Sequence, residues 1–157
     1  MSDAGFDAVV TAPGFALGVR IDGDAIAEIE FLPPTTPARA PLDELARRAC
    51  RQLEAYLGDP DARFDLPLQP RGTSFQRRVW QAIRAIPRGE TATYGALADQ
   101  LNSAPRAVGQ ACGANPYPVV VPCHRVVGTA GLGGFAHARD GLLLEVKRWL
   151  LAHERAR

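Results

Sequence analysis

The chain has 157 residues, a hydrophobic fraction of 46% and a formal net charge of +1, enough apolar material for one ordinary domain or two small ones. No segment approaches the roughly 20 apolar residues that span a bilayer, and no secretory leader pattern is present. The three cysteines form no CxxC pair, which fits a reducing compartment and leaves at least one thiol free. We therefore expect a globular, cytoplasmic protein that works away from membranes.

The charge is divided unevenly along the chain. Residues 1–70 hold six arginines and twelve acidic residues, a net of −6, whereas residues 71–157 hold twelve Arg or Lys and five acidic residues, a net of +7. The basic half predicts contact with a polyanion, although two halves that attract each other would show the same pattern. A proline-containing stretch, 58–72, is the natural boundary, so we expect an N-terminal domain at 1–70 and a C-terminal domain at 71–157.

The N-terminal half predicts a small sheet covered by one helix. In residues 14–32, Phe15, Leu17 and Val19 alternate with small or polar residues, and a turn at 22–24 indicates a β-hairpin. After a proline-rich linker, residues 42–57 carry apolar side chains at helical spacing, and Gly58 supplies a stop.

The C-terminal half predicts three short helices in succession. The first is capped by Thr73 or Ser74 and ends at Pro87, the second covers 93–101, and the third covers 105–114 with a proline at its first position. The last two are separated by a tight turn, which is the pattern of a helix-turn-helix whose second helix often enters a groove of DNA. This pattern alone is weak evidence, because many helical hairpins bind no nucleic acid.

The most informative segment for chemistry is NPYPVVVPCHRVV, residues 115–127. Three valines, apolar enough to be buried, precede Cys123 and His124, so a thiol and an imidazole stand side by side in apolar surroundings. The thiolate is the reactive form, and a cysteine of pKa ~8.5 needs a neighbouring base or cation to reach it at neutral pH. For an isolated pair of this kind, a small core cysteine and a hydrogen-bonded core histidine would be the commoner explanation.

The pair is not isolated, because residues 73–154 resemble the O6-methylguanine-DNA methyltransferase family. The resemblance rests on five ordered blocks: TYG at 93–95, RAVG at 106–109, NP at 115–116, PCHRV at 122–126 and KRWLLAHE at 147–154. It implies an α+β fold, with a small ribonuclease H-like sheet-plus-helix domain followed by a mostly helical, winged helix-turn-helix domain. The N-terminal half matches the family only in this general form.

The resemblance implies a DNA repair protein that moves the alkyl group of O6-alkylguanine irreversibly onto its own cysteine, once per molecule. Cys123 is then the nucleophile, His124 accepts the thiol proton through a water, and Glu154 orients the imidazole. Tyr94 hydrogen-bonds or protonates guanine N3, so that the base leaves as a neutral purine. Asn115 ties the third helix to the turn that carries the cysteine.

Base flipping follows from this chemistry, because O6 faces the pairing edge inside the duplex, where no thiol can approach it. By resemblance, Arg106 is the arginine finger that fills the space left by the flipped base. The other residues assigned to DNA contact are Thr93, Ala107, Gly109 and Arg125. Those assigned to the base pocket are Val126, Gly134, Phe135 and Ala136.

The expected partner is double-stranded DNA that carries an O6-alkylguanine. The protein is expected to act as a monomer and without a cofactor, and whether it also accepts O4-alkylthymine stays open. No metal is expected, because the zinc site of some relatives needs ligands in the N-terminal half, which has no histidine and only Cys50. One alternative is a non-catalytic relative that binds alkylguanine and flags the lesion, but such relatives replace the cysteine that Cys123 supplies here. A second is a cysteine hydrolase, for which no oxyanion-hole motif is recognisable.

Overall fold

The computed structural model of the chain describes residues 5–129 and 141–155, and it divides into two compact units, Met1–Pro70 and Arg71–Arg157. The described residues form an α+β fold with a three-stranded sheet, a two-stranded sheet, five α-helices and one 3-10 turn. Over these two ranges, no helix is long and apolar enough to cross a membrane.

The N-terminal unit is built on an antiparallel sheet in the order β1 (Ala8–Ala12), β2 (Phe15–Asp22) and β3 (Ala25–Leu32). The predicted hairpin is confirmed as β2 and β3, and Gly23 turns between them with a φ of 66°, a conformation that glycine adopts without strain. The sequence analysis missed β1, which pairs with β2. Its first three residues are all buried, so β1 shows no alternation between apolar and polar residues by which a strand is recognised.

The predicted first helix is α1 (Glu44–Gly58), which packs against β1 and β2. Asp43 caps it by accepting a hydrogen bond from the Ala46 amide at 2.8 Å, a stronger start signal than the apolar residue at 42. The buried side chains on its inner face include Leu53 and Tyr56. The boundaries differ from the prediction by two residues at one end and one at the other.

The C-terminal unit contains the three predicted helices, α2 (Ser74–Arg84), α3 (Tyr94–Gln100) and α4 (Pro105–Gly113). Thr73 forms a capping box with Gln76 at the start of α2. The turn between α3 and α4 uses Asn102 with a φ of 56°, and asparagine tolerates this left-handed conformation better than most residues. The indole nitrogen of Trp80 donates to the Ala111 carbonyl at 2.8 Å, which links α2 to α4.

Three short elements and one longer helix complete the described part of the unit. The strands β4 (Ala92–Thr93) and β5 (Val126–Val127) pair in parallel, directly before α3 and directly after the 3-10 turn Cys123–Arg125. This pairing places the start of α3 beside the cysteine-bearing turn. The last helix, α5 (Leu142–Arg155), contacts that turn.

Candidate active site

Cys123 is the first residue of the 3-10 turn, and the preceding proline fixes the backbone conformation that leads into it. Pro122 has φ −82° and ψ 68°, the geometry of an inverse γ-turn, and proline is already restricted to this φ. The Cys123 amide accordingly donates to the Val121 carbonyl at 2.8 Å. The three valines before it are buried, and the Cys123 side chain itself is 3% exposed. Val119 has a φ of 75°, a conformation unfavourable for a β-branched residue, so the tertiary contacts of this loop hold its backbone under strain.

Asn115 connects the end of α4 to this turn. Its Nδ2 donates to the Val121 carbonyl at 2.8 Å and lies 3.2 Å from Cys123 Sγ, and its Oδ1 accepts from the Tyr117 amide at 2.8 Å. The amide group therefore holds both the backbone of the loop and the sulfur. The sequence analysis predicted that Asn115 ties the third helix to this turn, and these are bonds that such a role would use.

The 3-10 turn spreads its three side chains in different directions, because it has three residues per turn. His124 is fully buried, and its Nε2 lies 2.7 Å from Glu154 Oε2. Arg125 also meets Glu154, with Nε 2.9 Å from Oε1 and Nη2 3.0 Å from Oε2. Glu154 on α5 thus holds both residues that follow the cysteine.

Arg125, predicted to contact DNA, makes several hydrogen bonds inside the unit. Besides its two bonds to Glu154, its Nη1 donates to the Ile86 carbonyl at 2.7 Å, and its side chain is only 12% exposed. These bonds use three of the five N–H donors of the guanidinium, so most of its hydrogen-bonding capacity is directed to acceptors inside the unit. The sequence pattern did not show this, because the partner Glu154 is 29 residues away in the chain.

The arrangement leaves one imidazole nitrogen available as a base. If Nε2 carries the proton donated to Glu154, Nδ1 is the unprotonated atom. Within residues 5–129 and 141–155, Nδ1 has no hydrogen-bond partner although it is buried. Burial lowers the pKa of His124 below its ordinary value, and Glu154 offsets part of this effect. The imidazole is therefore neutral at pH 7 and can accept a proton.

The Cys123 thiol is protonated in this arrangement. A hydrogen bond with the Cys112 thiol and burial both raise the pKa of Cys123, whereas Asn115 and Lys147 act in the opposite direction. Proximity to His124 was expected to yield the thiolate, but the structure adds a second thiol that opposes ionisation. Deprotonation of Cys123 hence requires the base at the moment of reaction.

Lys147 is a site residue that the sequence analysis quoted only as part of a motif. It is fully buried, its Nζ donates to the Val126 carbonyl at 2.8 Å, and it lies 5.9 Å from the Tyr94 ring centre. Burial lowers the pKa of Lys147 to about 8, while Cys112 and Cys123 act to raise it. A usable signal was present, because residues 147, 151 and 154 share one face of a helix.

The chain is similar in sequence to known proteins of one family. A family model described as "6-O-methylguanine DNA methyltransferase, DNA binding domain" matches residues 74–156. The chain belongs to this family. A methylated-DNA–protein-cysteine methyltransferase of Methanosarcina mazei is 37% identical over 154 residues, covering 93% of this chain and 94% of the relative.

Solved members of the methyltransferase family share the fold as well. The crystal structure of Mycobacterium tuberculosis O6-methylguanine methyltransferase has a TM-score of 0.79 and 36% identity, covering 95% of this chain and 92% of that one. A second structure, of Mycobacterium tuberculosis OGT in complex with DNA, has a TM-score of 0.76 and 37% identity, covering 94% and 91%. The resemblance inferred from the five sequence blocks is thereby confirmed.

The remaining predicted site residues of this family member lie mainly on α3 and α4. Tyr94 is the half-buried first residue of α3, and a Cβ built on Gly109 of α4 would lie 4.0 Å from its ring. Thr93 caps α3 by accepting from the Ala96 amide at 3.0 Å. Arg106 is exposed in the first turn of α4, and Ala107 beside it is half-buried.

Only one of the four residues predicted to line the base pocket lies within the described residues. Val126 is fully buried, whereas Gly134, Phe135 and Ala136 lie outside the described residues. Within 5–129 and 141–155, no group of three or more His, Cys, Asp or Glu could hold a metal ion.

Proposed function

We propose that this protein repairs O6-alkylguanine in duplex DNA by moving the alkyl group onto Cys123, where it stays. The observation that carries the proposal is the buried thiol on a turn whose next residue, His124, is held by Glu154 with Nδ1 left unpartnered within the described part of the chain. Relatives named methylated-DNA–protein-cysteine methyltransferases support the substrate class.

The chemistry is a single displacement. A water bridging His124 and Cys123 passes the thiol proton to Nδ1, and Glu154 stabilises the resulting imidazolium through its 2.7 Å contact. The thiolate attacks the alkyl carbon, a C–S bond forms, and the C–O bond breaks with its electron pair moving to the guanine. Tyr94 donates a hydrogen bond or proton at guanine N3, so that the base leaves neutral. The thioether is stable, and each molecule therefore reacts once.

DNA docking uses the C-terminal unit, which we propose is a winged helix-turn-helix with α4 as the recognition helix. The small residues Ala107 and Gly109 let the backbone of α4 approach a narrow minor groove. Its first turn has no side-chain cap, which leaves backbone amides available to phosphate. The sheet and helix of the N-terminal unit, by the family resemblance, form a ribonuclease H-like domain.

Base flipping completes the proposal. The cysteine is buried and O6 lies at the pairing edge of the duplex, so the guanine must leave the stack to react. The exposed Arg106 enters the duplex from the first turn of α4 and replaces the flipped base. We propose a cytoplasmic monomer; O4-alkylthymine is a second substrate to be tested.

Intact-mass spectrometry tests the central reaction. After incubation with a duplex containing one O6-methylguanine, the protein should gain a single methyl group, located on Cys123 by peptide analysis. A non-catalytic lesion binder would retain the duplex without gaining mass. A protein that neither gains mass nor retains the modified duplex would exclude both functions.

Replacing Arg106 separates flipping from binding. Arg106→Ala should repair O6-methylguanine in a duplex about 100-fold more slowly, since unstacking a base costs a few kcal/mol that the inserted guanidinium helps to offset. The same variant should react with free O6-benzylguanine at nearly the parent rate, because a free base needs no extrusion. Single-turnover rates on both substrates measure the two effects.

Arg77→Ala is the matched control, because Arg77 is also an exposed arginine of this unit but lies on α2. It should lower duplex affinity at most modestly and leave the ratio of duplex to free-base rates unchanged. Equal slowing of Arg106→Ala on both substrates would show that Arg106 organises the pocket and would remove the finger assignment.

A further inference from the structure

A tight turn leads from α2 to β4, and its shape sets the direction of one arginine. The Glu90 amide donates to the Pro87 carbonyl at 3.1 Å, and Gly89 has a φ of 88°. These are the features of a type II β-turn, which requires a positive φ at its third residue and therefore favours glycine there. Arg88 is the second residue of this turn, so its backbone is held on both sides.

The half-buried Arg88 side chain reaches the end of α5. Its Nη1 donates to the Glu154 carbonyl oxygen at 2.9 Å. Glu154 is the last residue but one of that helix, and the last four carbonyls of a helix have no partner within it. A cation at this end also interacts favourably with the helix dipole. Arg88 therefore stabilises a helix end of the kind that commonly frays.

The segment that carries Arg88 also contacts the 3-10 turn. The Ile86 carbonyl accepts from Arg125 Nη1 at 2.7 Å, and the other two nitrogens of that guanidinium bond the Glu154 carboxylate. Segment 86–88 therefore reaches Glu154 by two routes, directly at the backbone carbonyl and through Arg125 at the carboxylate. The last turn of α5 is thus held by groups that lie outside the helix.

We propose that Arg88 is a positioning residue for alkyl transfer, which fixes the last turn of α5 and so keeps the Glu154 carboxylate on His124. This role rests on the proposed function, in which Glu154 orients the imidazole that receives the thiol proton. His124 Nε2 and Glu154 Oε2 are 2.7 Å apart, and a hydrogen bond weakens steeply when its distance and angle change. Loss of Arg88 should therefore act on the base and not on the thiol.

The first variant, Arg88→Met, removes the donor and keeps much of the length of the side chain. Free O6-benzylguanine is the substrate, so that DNA affinity does not affect the rate. Transfer should be about 10-fold slower than in the parent, because a small displacement of a catalytic group lowers rates by this order or more. Arg88→Lys keeps the charge and a donor, and it should recover part of the rate. Urea denaturation verifies that each variant is folded at the assay temperature.

A double-mutant cycle tests whether Arg88 acts through Glu154. If it does, Arg88→Met should slow transfer in the parent but have little further effect in a Glu154→Gln protein, because the carboxylate that it positions is already absent there. Equal slowing in both backgrounds would overturn the proposal.

The pH–rate profile is a readout that a general loss of stability would not move. Burial lowers the pKa of His124, Glu154 acts to raise it, and Arg125 and Lys147 act to lower it further. A displaced carboxylate should raise this pKa less, so the acid limb of Arg88→Met should move towards lower pH. This is the direction expected for Glu154→Gln. An acid limb at the parent position would contradict the proposal.

Arg84→Met is the matched control, because it removes an arginine four residues earlier in the chain. Arg84 is exposed in the last turn of α2, and its loss should leave the rate and the pH profile as in the parent. Slowing by Arg84→Met equal to that by Arg88→Met would show that the charge of this region matters and not the contact with Glu154.

Hydrogen exchange separates this proposal from the proposed function. Arg88→Met should speed exchange of the amides in the last turn of α5, residues 152–155, relative to both the parent and Arg84→Met. Faster exchange there, together with a lower pKa of His124 measured by NMR, in a protein that never accepts an alkyl group would support the hold on Glu154 and defeat the proposed function alone. Unchanged exchange would overturn the role of Arg88, whatever the rate of alkyl transfer.

Discussion

Cys123→Ser should bind alkylated duplex DNA with an affinity within a few-fold of the parent and should transfer no alkyl group. A serine hydroxyl ionises far less readily than a thiol and is a much weaker nucleophile towards an alkyl carbon. The substitution is otherwise conservative, because Asn115 Nδ2, 3.2 Å from the sulfur, can donate to a hydroxyl instead. Affinity should survive because phosphate contacts supply most of it.

Transfer is measured as the label that becomes bound to the protein from a duplex with a labelled O6-methyl group. Duplex affinity is measured separately at a fixed salt concentration. Cys50→Ala is the control, since this buried thiol lies in the N-terminal unit, and it should transfer at the parent rate. Label recovered on Cys50 or Cys112 of the Cys123→Ser protein would show that the nucleophile is assigned to the wrong cysteine.

Glu154→Gln should slow alkyl transfer by about 100-fold, the low end of what a positioned general base contributes. Glu154 uses both oxygens, one towards His124 and Arg125 and the other towards Arg125. A glutamine has one acceptor oxygen, and its NH₂ group would face the N–H donors of His124 and Arg125. The imidazole then loses either its fixed orientation or its anionic partner, and Nδ1 is no longer held as the base.

Two readouts distinguish positioning of the base from simple destabilisation. Glu154 raises the pKa of His124 against the effect of burial, so its loss should lower that pKa further and move the acid limb of the pH–rate profile towards lower pH. Breaking the buried pair should also reduce the free energy of unfolding by about 3 kcal/mol, measured by urea denaturation. Rates are therefore compared at temperatures where the variant remains folded.

Glu145→Gln is the matched control, because Glu145 is also on α5 but is exposed and pairs with Arg148 one turn away. Exposed pairs of this kind contribute little, so stability, rate and pH profile should stay close to the parent values. A Glu154→Gln protein with an unshifted acid limb and a parent-like rate would remove the carboxylate from the mechanism.

The local elements could be predicted because their signals are local. The capping box at Thr73, the proline that opens α4 and the turn at Gly23 each act over a few residues, and the structure confirms the elements they predicted to within a few residues. Strand β1 was missed because its burial depends on pairing with β2 and on packing against α1. Neither contact can be recognised from the five residues of the strand.

The sequence by itself determined the family, the nucleophile candidate and its candidate base, since motif order and the identity of adjacent residues are properties of the chain. Only the tertiary structure decided which groups meet across long separations. It turned Arg125 inward to Glu154 and brought the Lys147 ammonium to the Val126 carbonyl. These contacts depend on how α4, α5 and the 3-10 turn pack together. Interactions between charged groups weaken with distance. The reactivity of Cys123 therefore depends on this packing and cannot be predicted from the residues next to it in the sequence.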